Sequence, residues 1–435
     1  MPDWSARLSE LAASAQVPGA VLGIWHDGEV TITPYGVLNA ATGVEATADS
    51  LFHLGSISKA WTATMIVQLA DEGRLDLDDA VVELLPEAPI DRRITVRHLL
   101  THASGIDGDV FTDTGRGDDC VERYVALLAE VELLFEPGTA YSYCNAGFVV
   151  LGRIIEVLDD RSWDESLRAR LIEPLELTKT VTLPEEAILH RAAVGHLDTT
   201  GAPVKTWQLP RSLGPAGLIA ASAADLITFA REHLSRYELM REPQGISTGD
   251  SGGFADVGLT WRLYDWDGHK LFGHDGATIS QLAYLRIDPE AGVIMCLLTN
   301  SGNGNALFEP LATEVFTHYT GAAHPAAPQP IDVPVDDRHL GRYERASVRL
   351  DVVRRADGLW VQYQATGDRL AFAEQPVLEY ELRPTEPADG NHFVVRDSPD
   401  HPWVPMTFTE SHVLTSGRIT PRLVGSTFGM GELTS

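Results

Sequence analysis

Cysteine and positive charge are what this sequence has least of. Its three cysteines, Cys120, Cys144 and Cys296, are too few and too scattered for a disulfide framework or a zinc ribbon. They are expected to be reduced thiols, two of them packed in apolar surroundings. Lys and Arg number 33 against 62 Asp and Glu, a formal net charge of -29. Spread along the chain, that acidity repels phosphate backbones and anionic membrane surfaces and argues against nucleic acid as a partner. Long apolar runs are also missing. No stretch reaches the roughly 18 residues a spanning helix needs, and the opening MPDWSARLSELAASAQVPGA has no basic segment followed by an apolar one. The expectation is a cytoplasmic protein without membrane association. Internal repeats and low-complexity tracts are absent too.

What is present reads as a compact protein of more than one unit. Hydrophobic residues make up 44% and charged residues 22% of the 435, near globular averages, and the length suggests two or three structural units. Residues 5 to 14 read as a short amphipathic helix. Two β-rich runs then meet around Asp27-Gly28, a hairpin signal. After Ser56, the residues Trp61, Met65 and Leu69 recur at helical spacing and Gly73 stands where a helix would stop, so Ser56 is expected to open a buried helix. Residues of about 75 to 235 are dominated by helical patterns. Strands return at 281 to 300, as two apolar runs around a turn at 288 to 292, followed by a helical segment. The Pro-rich stretch 324 to 336 reads as a semi-rigid linker. Beyond it a hairpin at Asp357-Gly358 and further short strands predict a small β unit.

The chemistry concentrates at Ser56-Ile-Ser-Lys59. A hydroxyl and an ammonium three residues apart at a helix start share one face. A desolvated lysine can be neutral enough to take the serine proton, and the helix N-terminus favours developing negative charge. Taken alone, the pattern far more often marks a helix cap with a surface lysine. His98 and His102, at i and i+4, invite a zinc reading, but Leu99 stands where H-E-x-x-H needs its glutamate and no third ligand is evident. Asp76, Asp78 and Asp79 lack the spacing of a calcium loop and read as a solvated turn. No metal and no cofactor is expected.

The wider context resembles the serine β-lactamase and penicillin-binding-protein superfamily, of the class C β-lactamase, esterase and D-aminopeptidase type. The run from Phe52 through Gly55, Ser56 and Lys59 to Glu72-Gly73 and Asp78-Asp79 is similar to that family's first motif. Residues 94 to 106 look like its next landmark, Tyr143-Cys-Asn145 like its Y-x-N, and the segment starting at Pro215-Ala-Gly like its P-A-G-G-L. His274-Asp-Gly276 supplies an H-x-G where other members carry K-T-G. The resemblance implies that Ser56 attacks the acyl carbon, that Lys59 and Tyr143 share the proton transfers, and that Asn145 orients the substrate. It also implies that His274 and Gly276 line the opposite wall and that the N–H groups of Ser56 and Ala277 form the oxyanion hole. Cys144, inside the motif, reads as a small buried filler.

The reading is therefore an α/β (α+β) protein of three parts. Residues 1–323 would form a β-lactamase/transpeptidase-like domain, an antiparallel sheet flanked by helices with an all-α subdomain at about 75–235. Residues 324–336 would be the linker and 337–435 a lipocalin-like β-barrel, which could wall the acyl pocket or mediate dimerisation. The expected activity is serine-dependent acyl hydrolysis or transfer on a small-molecule or peptide ester or amide, of esterase, D-aminopeptidase, amidase or transacylase type. An amine is a candidate acceptor. A neutral His274 in place of lysine weakens attraction for substrate carboxylates and turns the reading away from a true β-lactamase or DD-peptidase. Those activities, and a non-catalytic binding member, are the alternatives. The sequence does not fix oligomeric state.

Overall fold

A computed structural model describes residues 2–423 except 199, 250–252, 357, 374 and 397–401. The main sheet has eight antiparallel strands. Its order runs Val44–Glu45, Glu29–Asn39, Gly19–His26, Val293–Thr299, Leu282–Asp288, His269–Ala277, Arg262–Trp266 and Asp256–Val257. The N-terminal hairpin thus joins the later strands through Gly19–His26 and Val293–Thr299, paired over seven residues. Both strands are almost wholly apolar because both faces are covered. The helices Trp4–Ser14 and Asn305–Tyr319 share one core with one face, and Ala223–Ser235 packs on the other. Gly23 marks that second contact: a Cβ there would lie 2.7 Å from Cys296 Sγ and 3.0 Å from Ile227.

The helix Ser58–Asp71 is buried on nearly every side, which explains an apolar pattern wider than one stripe. Gly73, at φ +70°, lies just past its end. Ser56 is not on this helix. It lies in the single 3-10 turn Gly55–Ile57 that precedes it, a correction to the sequence reading. The spacing argument survives, because side chains at i and i+3 eclipse in 3-10 geometry. The middle of the chain also differs from a purely helical region. Phe52–His53 and Thr180–Val181 pair on either side of Ala220–Ala221 in a three-stranded sheet, fastening the chain just ahead of Ser56 to the segment that follows Pro215-Ala-Gly217.

The C-terminal strands, from Gly341–Arg345 to Arg418–Pro421, form a second eight-stranded meander in sequential order. Its ends approach through the Tyr343–Arg422 bridge and the bond from Leu423 N to Arg342 O, so the sheet is a nearly closed barrel. Alternating side chains fill it, with Tyr343, Leu350, Val361, Phe393, Phe408 and Val413 buried inside. Of the expected hairpin at Asp357-Gly358, the strands Val348–Arg355 and Gly358–Ala365 are present, and Asp357 lies outside the described residues. The Pro-rich stretch is fastened at its centre, where Ile331 N donates to Pro384 O and Thr385 Oγ1 to Gln329 O. All three cysteines are buried and unpaired. Among the described residues no helix is long and apolar enough to cross a membrane, and no group of three or more His, Cys, Asp or Glu could hold a metal ion.

Candidate active site

Two glycines bring the expected oxyanion-hole backbone together. Gly55 has φ +51°, and a Cβ there would lie 2.6 Å from Ala277 N. A Cβ on Gly276 would lie 1.9 Å from Leu54 O and 3.1 Å from Ser56 N. No side chain fits at either position, so the turn carrying Ser56 packs directly on the strand His269–Ala277. The N–H groups of Ser56 and Ala277 belong to these two touching segments, an arrangement suited to stabilising a developing oxyanion.

Lys59 is fully buried. Its Nζ donates to Ala216 O at 2.6 Å and lies 3.1 Å from Ser56 Oγ. Burial, reinforced by the positive charge of Arg418, lowers its pKa well below the ordinary lysine value. A neutral amine with one hydrogen on Ala216 O can turn its lone pair toward the Ser56 hydroxyl, as a general base requires. Tyr143 lies across from it, its ring centroid 4.9 Å from Lys59 Nζ. Burial pushes the Tyr143 phenol upward, while Ser56 and the guanidiniums of Arg262 and Arg418 pull the other way. The net shift is upward and favours the protonated phenol.

His274 stands beside them, its ring centroid 6.0 Å from that of Tyr143. Nδ1 contacts Asp275 O at 2.6 Å, so the ring proton belongs on Nδ1, and Nε2 is buried with no hydrogen-bond partner among the described residues. Burial and the charges of Arg262 and Lys59 lower its pKa well below the usual histidine value, consistent with a neutral ring. The site nevertheless has fixed positive charge, which the sequence reading did not foresee. Arg262 lies 5.9 Å and Arg418 4.6 Å from the Tyr143 ring centroid. Arg262 is held by Asp275 at 2.7 Å, itself braced by Arg286 at 2.6 Å.

Arg418 comes from the barrel, whose turns reach the site. Tyr143 N donates to Gly417 O at 2.7 Å and Ile419 N to Ser142 Oγ at 3.1 Å. A second turn docks alongside, with Ala346 N donating to Asp107 and Ser347 Oγ to Asp109 O. Asn145 opens the helix Asn145–Asp159, and its Nδ2 donates to Asp109 Oδ1 at 2.8 Å. Cys144 is buried as expected, and its sulfur also caps that helix at Gly147 N.

The structure therefore gathers Ser56, Lys59, Tyr143, His274, Gly276 and Ala277, with Asn145 beginning two residues beyond Tyr143. It adds His102, Asp109, Arg262 and Arg418. His102 sits beside Tyr143. It is buried at φ +57°, accepts from Cys144 N at 3.0 Å, and lies 4.3 Å from the Tyr143 ring, supporting the catalytic motif from behind. Its partner His98 instead completes the N-terminal capping box of the helix Val96–Leu100. Asp109 and Arg418 carried no sequence signal, being 309 residues apart in the chain.

Comparison with known proteins identifies the family. The Beta-lactamase family model matches residues 4–319. The chain is 42% identical over 374 residues to Penicillin-binding protein 4 of Amycolatopsis lactamdurans, covering 79% of this chain and 97% of that protein. It is 28% identical over 272 residues to the D-aminopeptidase of Brucella anthropi, covering 60% of this chain but only 52% of that protein. The solved structure of SurE superimposes with a TM-score of 0.77 at 27% identity, covering 96% of this chain and 98% of SurE, and SurE has also been solved with D-Leu at 0.76. With the S-x-x-K, Y-x-N and H-x-G residues gathered at one site and a family match over most of its length, the chain belongs to the serine β-lactamase and penicillin-binding-protein superfamily.

Proposed function

We propose that the protein is a serine acyl hydrolase or acyltransferase that forms an ester between Ser56 and an acyl group derived from a D-amino acid amide, ester or peptide. The observation that carries the reading is the fully buried Lys59 within 3.1 Å of Ser56 Oγ, where burial lowers its pKa and favours the neutral amine. In this mechanism Lys59 accepts the Ser56 proton as Oγ adds to the carbonyl. The N–H groups of Ser56 and Ala277 hold the oxyanion, and Tyr143 protonates the departing nitrogen or oxygen. Asn145, His274 and Gly276 line the acyl pocket. The D preference is supported by the similarity to a D-aminopeptidase and to SurE, which binds D-Leu. Intact-mass measurement after incubation with matched D- and L-aminoacyl p-nitrophenyl esters tests it. A Ser56 adduct accumulating faster from the D series is expected, and equal labelling by both series would remove the stereochemical claim.

Transfer to an amine is a second reading, supported by the barrel turn bonded to Tyr143 through Gly417 O, a position from which it could limit the access of water to an acyl group on Ser56. With an activated D-aminoacyl ester and increasing primary amine, amide should form saturably at the expense of free acid. Linear, unselective trapping would leave a hydrolase. We also propose a domain division at the 324–336 linker, with the barrel acting as part of the acyl site. The contribution of Arg418 can be read from pH. Arg418→Gln removes the charge that, after burial, does most to lower the Lys59 pKa. The amine would then hold its proton to higher pH, so the acidic limb of kcat/KM should move upward. An unmoved limb would show that Arg418 does not act on Lys59.

A further inference from the structure

A second cleft, of about 410 Å³, lies where the helix Asn305–Tyr319, the Pro-rich stretch and the barrel meet. None of the Ser56, Lys59, Tyr143 and His274 side chains lines it. Asn305 and Glu309 form its helical wall, Gln329 its linker wall, and Arg396 and Trp403 its barrel wall. The Arg396 guanidinium is engaged, lying 4.2 Å from the Trp403 ring centroid. Glu309 is not. Half-buried, its carboxylate makes no hydrogen bond or ion pair with any described residue, and burial alone raises its pKa. A carboxylate drawn partly out of water without a counter-charge is destabilised, and a bound cation would offset that. The unmatched charge of the cleft is therefore negative.

Two routes through the fold place this cleft beside the acyl site. Thr299 pairs with Leu282 and Leu282 with Ala277, so three strand ends are level, with two strand spacings, about 10 Å, between Thr299 and Ala277. The helix bearing Glu309 starts shortly after Thr299, and the Tyr284 hydroxyl donates to its first residue, Asn305. On the other side, the barrel strands run in sequential order and alternate in direction, so the strand ends at Arg345, Val395 and Thr415 lie at one end of the barrel. Closure through Tyr343 and Arg422 sets the Thr415 end, whose turn is bonded to Tyr143, between the Arg345 end beside Asp109 and the Val395 end at the cleft. With the acyl group on the Asn145 side, the cleft lies on the opposite flank of Tyr143, where a leaving group departs and an acceptor enters.

We propose that this cleft is an acceptor subsite, and that the acyl acceptor is an amine carrying a second, cationic nitrogen held by Glu309. The inference rests on the amine-transfer reading above and deepens it by naming the acceptor class. One nitrogen, uncharged, adds to the carbonyl of the Ser56 ester. The C–Oγ bond then breaks, a proton passes from that nitrogen to Ser56 Oγ, and an amide is released. The second nitrogen stays protonated on Glu309 and takes no part in bond making, while Pro310 and Trp403 offer apolar surface to the stem between the two.

Acceptors of one length test this on the full chain: octane-1,8-diamine against 8-aminooctan-1-ol, with a D-aminoacyl thioester as donor and the amide read by mass spectrometry. At low acceptor concentration the native protein should use the diamine about 10-fold better, well beyond the roughly twofold that its second amine supplies by number. Glu309→Gln keeps the shape of the side chain and should bring the ratio down to about twofold. Glu309→Lys should turn the preference toward 8-aminooctanoate over the diamine. Either variant carries the test if the other fails to fold. A native ratio at the statistical value, or a high ratio that persists in Glu309→Gln, overturns the proposal; a merely structural role would lower all acceptors together and leave the ratios unchanged. Diamine that speeds transfer to another amine without being incorporated overturns it too, since the cation would then be a separate effector. Failure of the transfer reading itself looks different: Ser56 is acylated, yet only free acid is released whichever amine is added, and the acceptor subsite falls with it.

Discussion

Replacing Ser56 by alanine should abolish both turnover and covalent labelling, with kcat falling by on the order of a millionfold. The size of the effect follows from the architecture. Lys59, the nearest other nucleophile, is fully buried with one hydrogen bonded to Ala216 O, and Cys144 is buried with its thiol pKa pushed up to about 12. Neither can take over the attack. The fold should be little affected, because the substitution deletes one hydroxyl and leaves the Lys59–Ala216 bond in place. The loss is about 1 kcal/mol for that hydrogen bond. Intact-mass labelling with a fluorophosphonate, run beside a thermal melt, reads both quantities. Residual activity above a few per cent, in a preparation free of native enzyme, would remove Ser56 as the covalent centre.

Lys59→Met should produce the second-largest loss of activity together with a gain in stability at neutral pH. Loss of a positioned general base costs about 10²- to 10⁴-fold in rate. Stability should move the opposite way, because the native fold holds the amine where its pKa is far below the unfolded value of about 10.4. The sign follows from proton counting. Between the depressed folded pKa and the unfolded pKa, the unfolded chain binds the extra proton, so this group's contribution to stability rises with pH across that window. Its penalty is greatest below the folded pKa and vanishes above the unfolded one. Methionine, of similar shape and uncharged, carries no such penalty. Denaturant midpoints at several values between pH 6 and 10 should therefore show the variant ahead at the low end and the gap closing with rising pH. A variant less stable at pH 7 by a margin independent of pH would mean that Lys59 is charged and fully compensated in the native protein.

Local regularities were readable from the chain because they depend on near neighbours. The hairpin at Asp27-Gly28 needs only its two turn residues and the alternation beside them, and strands Gly19–His26 and Glu29–Asn39 meet there. The Ser56–Lys59 contact needs only a helical or 3-10 turn, either of which stacks residues three apart, so it held although the turn type differed. Misreadings arose where distant segments supplied the missing part. The short strands at Thr180–Val181 and Ala220–Ala221 carry too little pattern to be seen alone and exist through pairing with each other and, for Ala220–Ala221, with Phe52–His53. The zinc reading of His98 and His102 fell already for want of a glutamate and a third ligand, but the place of His102 beside the Tyr143 ring, 41 positions further along, was not visible in the sequence.

The sequence by itself carried the S-x-x-K, Y-x-N and H-x-G motifs and the order of sheet, helices and barrel. Each is written in contiguous residues whose spacing or periodicity has a local physical meaning. Only the tertiary structure decided the electrostatics of the site. Arg262 reaches it from a neighbouring strand and Arg418 from the far end of the chain, and Asp109 draws Asn145, Arg345 and Arg418 to one buried carboxylate. Charges act through space and are strengthened by burial, and neither distance nor burial is written in the spacing of residues along a chain.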